Sequence, residues 1–347
     1  MNSWMKQHYK KVYIVLLVGI ILAVRQLYIK RTTVVSGEQE QQLTWKYPLL
    51  IPDNTRPEFQ IHGHFLNHSS GAQNLLVILS GYKPFLYHSV FQRIQIFMEP
   101  EIDVCVLSVG VKDEKLVQIC TSYNWSYIST EEKLITKGLN VAIELHPRAQ
   151  FIFKLDEDIF VTRGFFGGLL KAFKHAEAGL YRPGVIAPLL TVNRYSSYRL
   201  LQLFNCTDDF VGIFGPSRYP LEIVWDNPSA ASYFWGNSSC LPSLDKMNYI
   251  LRSKPTNELP IPFKFSIGAI LFPRFIWKDM GYFDNNRPPQ ISPFDENQLN
   301  TYCFLRGRMI IVSENVVAGH FSFFKIVKEM RSYYEQNPQH YEIEDVS

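Results

Sequence analysis

Three consecutive carboxylates close a short apolar run in Phe151-Ile152-Phe153-Lys154-Leu155-Asp156-Glu157-Asp158. Its length and aromatic content predict a strand. Alternation along an extended chain turns Asp156 and Asp158 to one side and Glu157 elsewhere. Two hard oxygen ligands at the carboxyl end of a buried strand suit Mg²⁺ or Mn²⁺. Such ions take one or two protein carboxylates and fill the remaining positions with water and substrate phosphates. A solvated acidic turn is the plain alternative. Position favours chemistry, because open α/β sheets bind ligands just beyond the carboxyl ends of their strands. Three further segments fit such a site. In Ser80-Gly81-Tyr82 a small residue and a glycine let a ligand approach the backbone, and Tyr82 can stack on a base. Asp295 and Glu296 open an expected helix through Tyr302 and Leu305, although acids in a first turn also serve the helix dipole. His320 follows the last expected strand, and a lone histidine is more often structural.

The elements that position these residues alternate in type. Leu75 to Leu79 predicts a buried strand, followed by a helix with Leu86, Val90, Ile94 and Phe97 on one face. Ile102 to Leu107 predicts a second strand, and Asp113 can cap a helix that buries Leu116, Val117 and Cys120. Trp125 to Ile128 reads as a strand, and Ile135 to Leu145 as a helix ending before Pro147. After the acid-bearing strand, Phe165, Leu169 and Phe173 form the stripe of another helix. This order implies an α/β fold whose mostly parallel sheet is covered by helices on both faces. From about Thr191 to Pro262 the period is lost, and the abundant aromatics argue for substrate-binding loops rather than disorder. Patterning returns at Phe265 to Phe272, and Met309 to Val312 reads as a final strand.

Taken in order, these segments resemble a nucleotide-sugar glycosyltransferase of the GT-A (Rossmann-like) fold, closest to the inverting family-2 type, from about Asn74 to Phe324. The matching pieces are a first strand ending near a base site, Leu139-Asn140 within a helix, and the DxD-type Asp156-Glu157-Asp158. They continue with Ser266-Ile267-Gly268-Ala269 leading into Met280-Gly281-Tyr282-Phe283-Asp284, then Asp295-Glu296-Asn297-Gln298-Leu299 and the late His320. Lys154 to Val161 is also similar to membrane-anchored β-1,3-glycosyltransferases, whose EDV-type motif and cysteine pattern are missing here. The resemblance implies a nucleotide-sugar donor, a UDP-sugar first, and a glycan, glycoprotein or glycolipid acceptor. It implies Mn²⁺ or Mg²⁺ held by Asp158, with Asp156 on the metal or the ribose and His320 on the metal or the diphosphate. It places the base at Glu296 or Asp295, since the family's Glu-Asp order is reversed in this chain. Ser80, Tyr82, Ser108 and Asn140 become candidates for nucleoside contact. A metal-dependent nucleotidyltransferase is a competing class, but no glycine-rich or basic triphosphate loop stands here. A non-catalytic, membrane-anchored glycan-binding protein is another, though a pure binder needs no base.

The 347 residues, 46% hydrophobic and 14% aromatic, allow one large catalytic domain or two small ones. A net charge of +3 is too small to imply a nucleic-acid partner, no basic cluster in the body suggests one, and none is expected. The five cysteines show no metal-ligand spacing; Cys206 and Cys240 bracket the irregular segment and can bridge in an oxidising compartment, or all five can be buried thiols. Beyond an N-terminal tail of residues 1–11, Val12 to Val24 is uninterrupted apolar sequence flanked by basic residues. That run falls short of the ~20 residues of an average span, and extending it to Ile29 with Arg25 snorkelling approaches one. We read 12–29 as an uncleaved transmembrane signal-anchor and 30–73, interrupted by Pro48, Pro52 and Pro57, as a stem. Residues 74–330 form the expected catalytic domain, with a nucleotide-binding half (74–190) and an acceptor-binding half (191–330), and 331–347 a tail. The layout resembles a type II, single-pass Golgi enzyme facing the lumen; a bacterial inner-membrane enzyme with a cytoplasmic catalytic domain fits too. Sequons at Asn67, Asn124, Asn205 and Asn237 add little, since chance supplies a couple.

Overall fold

Runs such as Leu75-Leu76-Val77-Ile78 are buried along their whole length, which requires a sheet covered on both faces. A computed structural model describes residues 59, 61–99, 101–216, 220–262, 265–284 and 294–346. The expected anchor, 12–29, and the stem up to 58 lie outside the described residues. Among the described residues no helix is long and apolar enough to cross a membrane.

The strands are β1 (Gly63–Leu66), β2 (Asn74–Ser80), β3 (Ile102–Val109), β4 (Ser126–Thr130) and β5 (Phe151–Asp156). They continue with β6 (Ile159–Phe160), β7 (Pro183–Leu190), β8 (Glu258–Ile261), β9 (Ala269–Pro273) and β10 (Met309–His320). They form a 10-stranded sheet in the order β1-β4-β3-β2-β5-β9-β7-β10-β6, with β8 on β10. Strands β4, β3, β2 and β5 run parallel, as βαβ units require. The sheet is nevertheless mixed rather than mostly parallel. Strand β9 enters antiparallel between β5 and β7, and β8 and β6 both pair antiparallel with β10. The βαβ rhythm ends at Leu190; of the strands that follow, β8 and β9 run in the opposite sense, whereas β10 runs parallel to β7.

The predicted helices match closely in the first half. Helix Tyr87–Phe97 buries Val90, Ile94 and Phe97, and Asp113 accepts a hydrogen bond from Lys115 N–H to cap Glu114–Tyr123. Helix Ile135–Glu144 stands where one was expected, and Phe165–Ala178 buries the expected stripe of Phe165, Leu169 and Phe173. The segment read as irregular is largely helical instead, with helices Arg194–Leu203, Thr207–Phe214, Pro228–Tyr233 and Leu244–Arg252. Thr207–Phe214 and Pro228–Tyr233 are too short to show a period, whereas Leu244–Arg252 does place Leu244, Met247 and Leu251 on one face, a signal the sequence reading passed over. The side chains of Asn193 and Asn227 cap two of them, and a disulfide joins Cys206 to Cys240.

Residues 331–346 are not a trailing tail. The helix Val327–Gln336 leads to Tyr341, which is buried. The guanidinium of Arg93, itself 1% exposed, donates to both oxygens of Asp245 at 2.9 Å and to the carbonyls of Tyr341 and Glu342. At the far end of β3, Asp103 accepts from the hydroxyls of Ser69 and Ser70 and from the N–H groups of Ser70, Gly71 and Ala72. Burial alone would raise its carboxyl, but the Ser70 N–H and the other donors hold it below the ordinary 3.8.

Replacing Arg93 by Ala strands a buried Asp245 and is expected to cost about 3–5 kcal/mol, measured by urea unfolding. Asp103→Asn is expected to cost about 1–3 kcal/mol at neutral pH. A depressed carboxyl stabilises above its ordinary value and loses that contribution as pH falls. Urea titrations from pH 7 downward should therefore show the gap between wild type and variant closing below the ordinary value of 3.8.

Candidate functional site

Register places every charged group of the site at one end of the sheet. Leu79 of β2 pairs with Asp156 of β5, so the chain leaving β2 passes directly over the acids. Strand β5 ends there, and Glu157 and Asp158 form a turn into β6 rather than a continued strand. The turn is pinned by Glu157 N–H on Leu79 O and by Phe321 N–H on Asp158 O, at 2.9 and 3.0 Å. From the other side Asp156 N–H donates to Gly268 O at 2.8 Å. A Cβ on Gly268 would lie 3.1 Å from Asp156 Oδ2, so this backbone passes as close as a glycine allows.

Each acid of the triplet has a different task. Glu157 lies in the turn, beyond the reach of strand alternation, and its oxygens accept from Gly81 and Tyr82 N–H at 2.7 and 2.8 Å. Burial pushes its carboxyl up to about 7, against the pull of those N–H groups and of Lys83. Asp156 keeps 39% of its side chain exposed and accepts from Lys154 Nζ at 2.9 Å. Asp158 is enclosed, at 2% exposure, with the Lys83 ammonium on its Oδ2. Burial alone would raise Asp158, but Lys83 and His320 outweigh it and hold the carboxyl below its usual range.

His320 is the last residue of β10 rather than part of a following loop, because β10 runs on for the full length Met309–His320. Its Nδ1 lies 2.5 Å from Val192 O, and a carbonyl can only accept, so that nitrogen carries the proton. The other nitrogen, Nε2, faces Asp158 Oδ2 at 3.6 Å. In the neutral imidazole two lone pairs then confront each other, an arrangement that a proton or a cation between them resolves. The edge of Phe323 meets the imidazole at 5.1 Å, and Trp235 Nε1–H donates to His320 O at 3.2 Å.

The second carboxylate pair arrives on helix Phe294–Leu305. Asp295 is buried 3.6 Å from Lys154 Nζ, and Glu296 is half-buried and close enough to act on the same lysine. Burial would lower Lys154, but Asp156, Asp295 and Glu296 outweigh it and keep it an ammonium. Lys154 thus joins the two acid segments, which lie far apart in sequence.

Two candidates for nucleoside contact are used elsewhere. Asn140 is wholly buried; its oxygen accepts from Trp277 Nε1 and Phe283 N–H, and its amide donates to Phe283 O. It positions a segment rather than a ligand, since Gln298 of the acid-bearing helix holds the same stretch through Tyr282 O and Asp284 N–H. Ser108 is buried too, donating to Val111 O and sharing a hydrogen bond with Tyr127 OH. Ser80 and Tyr82 do lie at the rim. The Ser80 hydroxyl is buried without a hydrogen-bond partner, and Tyr82 is 62% exposed with its ring in solvent. Sequence reasoning missed the two lysines. Lys154 had a signal: a lysine two residues before Asp156 shares its side of the strand. Lys83 had only its place after the first strand.

Among the described residues no three His, Cys, Asp or Glu side chains form a ready cation cage. Asp158 and His320 still fit a divalent ion as two adjacent ligands, which suits ions that complete their shell with water and phosphate.

No protein-family model matches the chain, and no curated protein is similar to it in sequence. Among solved structures it resembles the mannosyltransferase PcManGT of Pyrobaculum calidifontis, in complex with GDP-Man and Mn²⁺. That match has a TM-score of 0.45 and 12% identity over 79% of this chain and 63% of the other. It also resembles S. aureus TarS 1–349, with a TM-score of 0.42 and 14% identity over 77% and 64% of the two chains. The complex of TarS 1–349 with UDP matches at 0.42 and 12%, over 71% and 60%. The chain thus spans less than two thirds of each of these structures. Likeness at this level assigns no family.

Replacing Lys154 by Met leaves Asp156 and Asp295 facing each other without their shared cation. The expected cost is about 3–5 kcal/mol, read from urea unfolding, with Lys154→Arg recovering part of it.

Proposed function

We propose that the chain transfers a sugar from a nucleoside-diphosphate donor to a hydroxyl of a glycan, glycoprotein or glycolipid, with Mn²⁺ or Mg²⁺ as cofactor. The observation that carries this reading is the meeting of Asp158 and His320 beside Asp156, Asp295 and Glu296 at one rim of the sheet. A cation bound there would neutralise the charge gathering on the departing diphosphate. The chain's own residues supply the rest. Asp158 and His320 would hold the ion from the protein side, and Asp156, open to solvent, would reach the ion or the ribose of the donor. Tyr82 offers an exposed ring to the base, next to the buried Ser80 in the chain.

Glu296 is the better base of the pair. Asp295 is enclosed and committed to Lys154, whereas Glu296 is partly accessible. Glu296 takes the proton as the acceptor oxygen bonds to the anomeric carbon. The bond from that carbon to the diphosphate oxygen breaks, and its electron pair stays on the leaving group. Direct attack of this kind inverts the anomeric centre. A positioned base contributes about 10²–10⁴-fold.

We further read the chain as a type II, single-pass protein anchored through 12–29, with the catalytic domain in the Golgi lumen. The Cys206–Cys240 bridge supports an oxidising compartment, and all four sequon asparagines are exposed.

The test is a released-nucleotide assay on the full chain in detergent across UDP- and GDP-sugars, with NMR of the product linkage. Turnover should require Mn²⁺ or Mg²⁺ and fall by at least ~10²-fold in Asp158→Ala. Undiminished turnover in excess chelator, or turnover of nucleoside triphosphates in place of sugar donors, would overturn the proposal.

A further inference from the structure

We infer that Lys83 is a built-in counter-cation for Asp158, one that a divalent ion displaces and that then passes to the diphosphate of the donor. The inference rests on the ion-binding reading of Asp158 and His320 and adds a residue to it. Two groups converge on a single oxygen. The Lys83 ammonium sits on Asp158 Oδ2, and His320 Nε2 aims at that same atom from 3.6 Å. An ion held between the aspartate and the histidine would share this oxygen with the ammonium, and its charge would drive the ammonium away. Lys83 also covers the carboxylate, which is only 2% exposed, while the lysine side chain keeps 18% and so has a way out to solvent.

The surroundings let the side chain move while its backbone stays in place. Glu157 holds the N–H groups of Gly81 and Tyr82, and Lys83 O accepts from Leu86 N–H at 3.0 Å. Gly81 has φ +120°, a conformation that L side chains rarely adopt, which lets this turn run close over the acids. From that fixed base a four-carbon stem carries a compact, strongly hydrated charge. Its destination follows from the charges nearby. Asp156 already has Lys154, Glu157 has the two backbone donors, and Asp158 would have the ion. The new anion at the rim is the incoming diphosphate, and lysine binds phosphate as a mobile point charge. Lys83 is then a catalytic residue that helps hold the leaving group.

Mn²⁺ binding by calorimetry, without donor, separates this role from a structural one. Removing a competing cation should tighten Mn²⁺ binding by about tenfold or more in Lys83→Met, in line with the coupling of close charge pairs. Added UDP should strengthen Mn²⁺ binding more in the wild type than in Lys83→Met, because only the wild type has the lysine to deliver. Sugar transfer by the variant should fall on the order of 10²-fold even at saturating Mn²⁺. Lys83→Gln, which can still donate a hydrogen bond to Asp158 without a charge, guards against collapse of the methionine variant and should shift Mn²⁺ affinity the same way. Mn²⁺ binding that is unchanged or weaker in folded Lys83 variants overturns the role of Lys83 and leaves the ion reading standing. Absence of Mn²⁺ binding in the wild type and in both variants overturns the two together.

Discussion

Crowded carboxylates are the constraint on which this structure turns. Glu157, Asp158 and Asp295, all buried, meet the half-exposed Asp156 where several strands end, and like charges brought together out of water repel strongly. The fold answers them with separate counter-groups, one of which is shared. Glu157 takes backbone donors, Asp156 and Asp295 share Lys154, and Asp158 takes Lys83 with His320 alongside. These partners come from the β2 loop, from β5 itself and from the end of β10. Charge balance therefore determines which elements must converge, and the mixed sheet is the arrangement that brings them there.

The first half of the chain was legible because its elements are long enough to show a period. Apolar runs such as Leu75 to Leu79 and stripes such as Phe165, Leu169 and Phe173 carry their own signal. Two effects hid the second half. Helices such as Pro228–Tyr233 are short and are defined by Asn caps and burial against a large aromatic cluster, so no pattern repeats. Strand direction is also invisible to periodicity, and nothing in Ala269 to Pro273 announces that it runs against its neighbour β5.

The site was legible as residue types and less so as roles. Carboxylates after an apolar strand, an acid pair opening a helix and a late histidine were readable from chemistry, and the fold gathers all of them. Asn140 misled because a buried amide looks the same in sequence whether it meets a ligand or the protein's own backbone. The lysines were passed over because acids attract notice where ions are expected, while a counter-charge shows only when distances are known. Register between β2 and β5, set by hydrophobic burial over several residues, is what brings Lys83 over Asp158.

Gly319, the residue before His320, lies where any added side chain would collide with the indole of Trp235, 2.2 Å from its ring. The same indole bonds to the carbonyl of His320. The imidazole is thus seated by a ring that belongs to the helical excursion stapled by Cys206 and Cys240. Whatever that excursion has come to recognise, its sequence can drift only while a flat, bulky ring remains lodged against β10. Innovation in specificity is in this way tethered to preservation of the chemical centre.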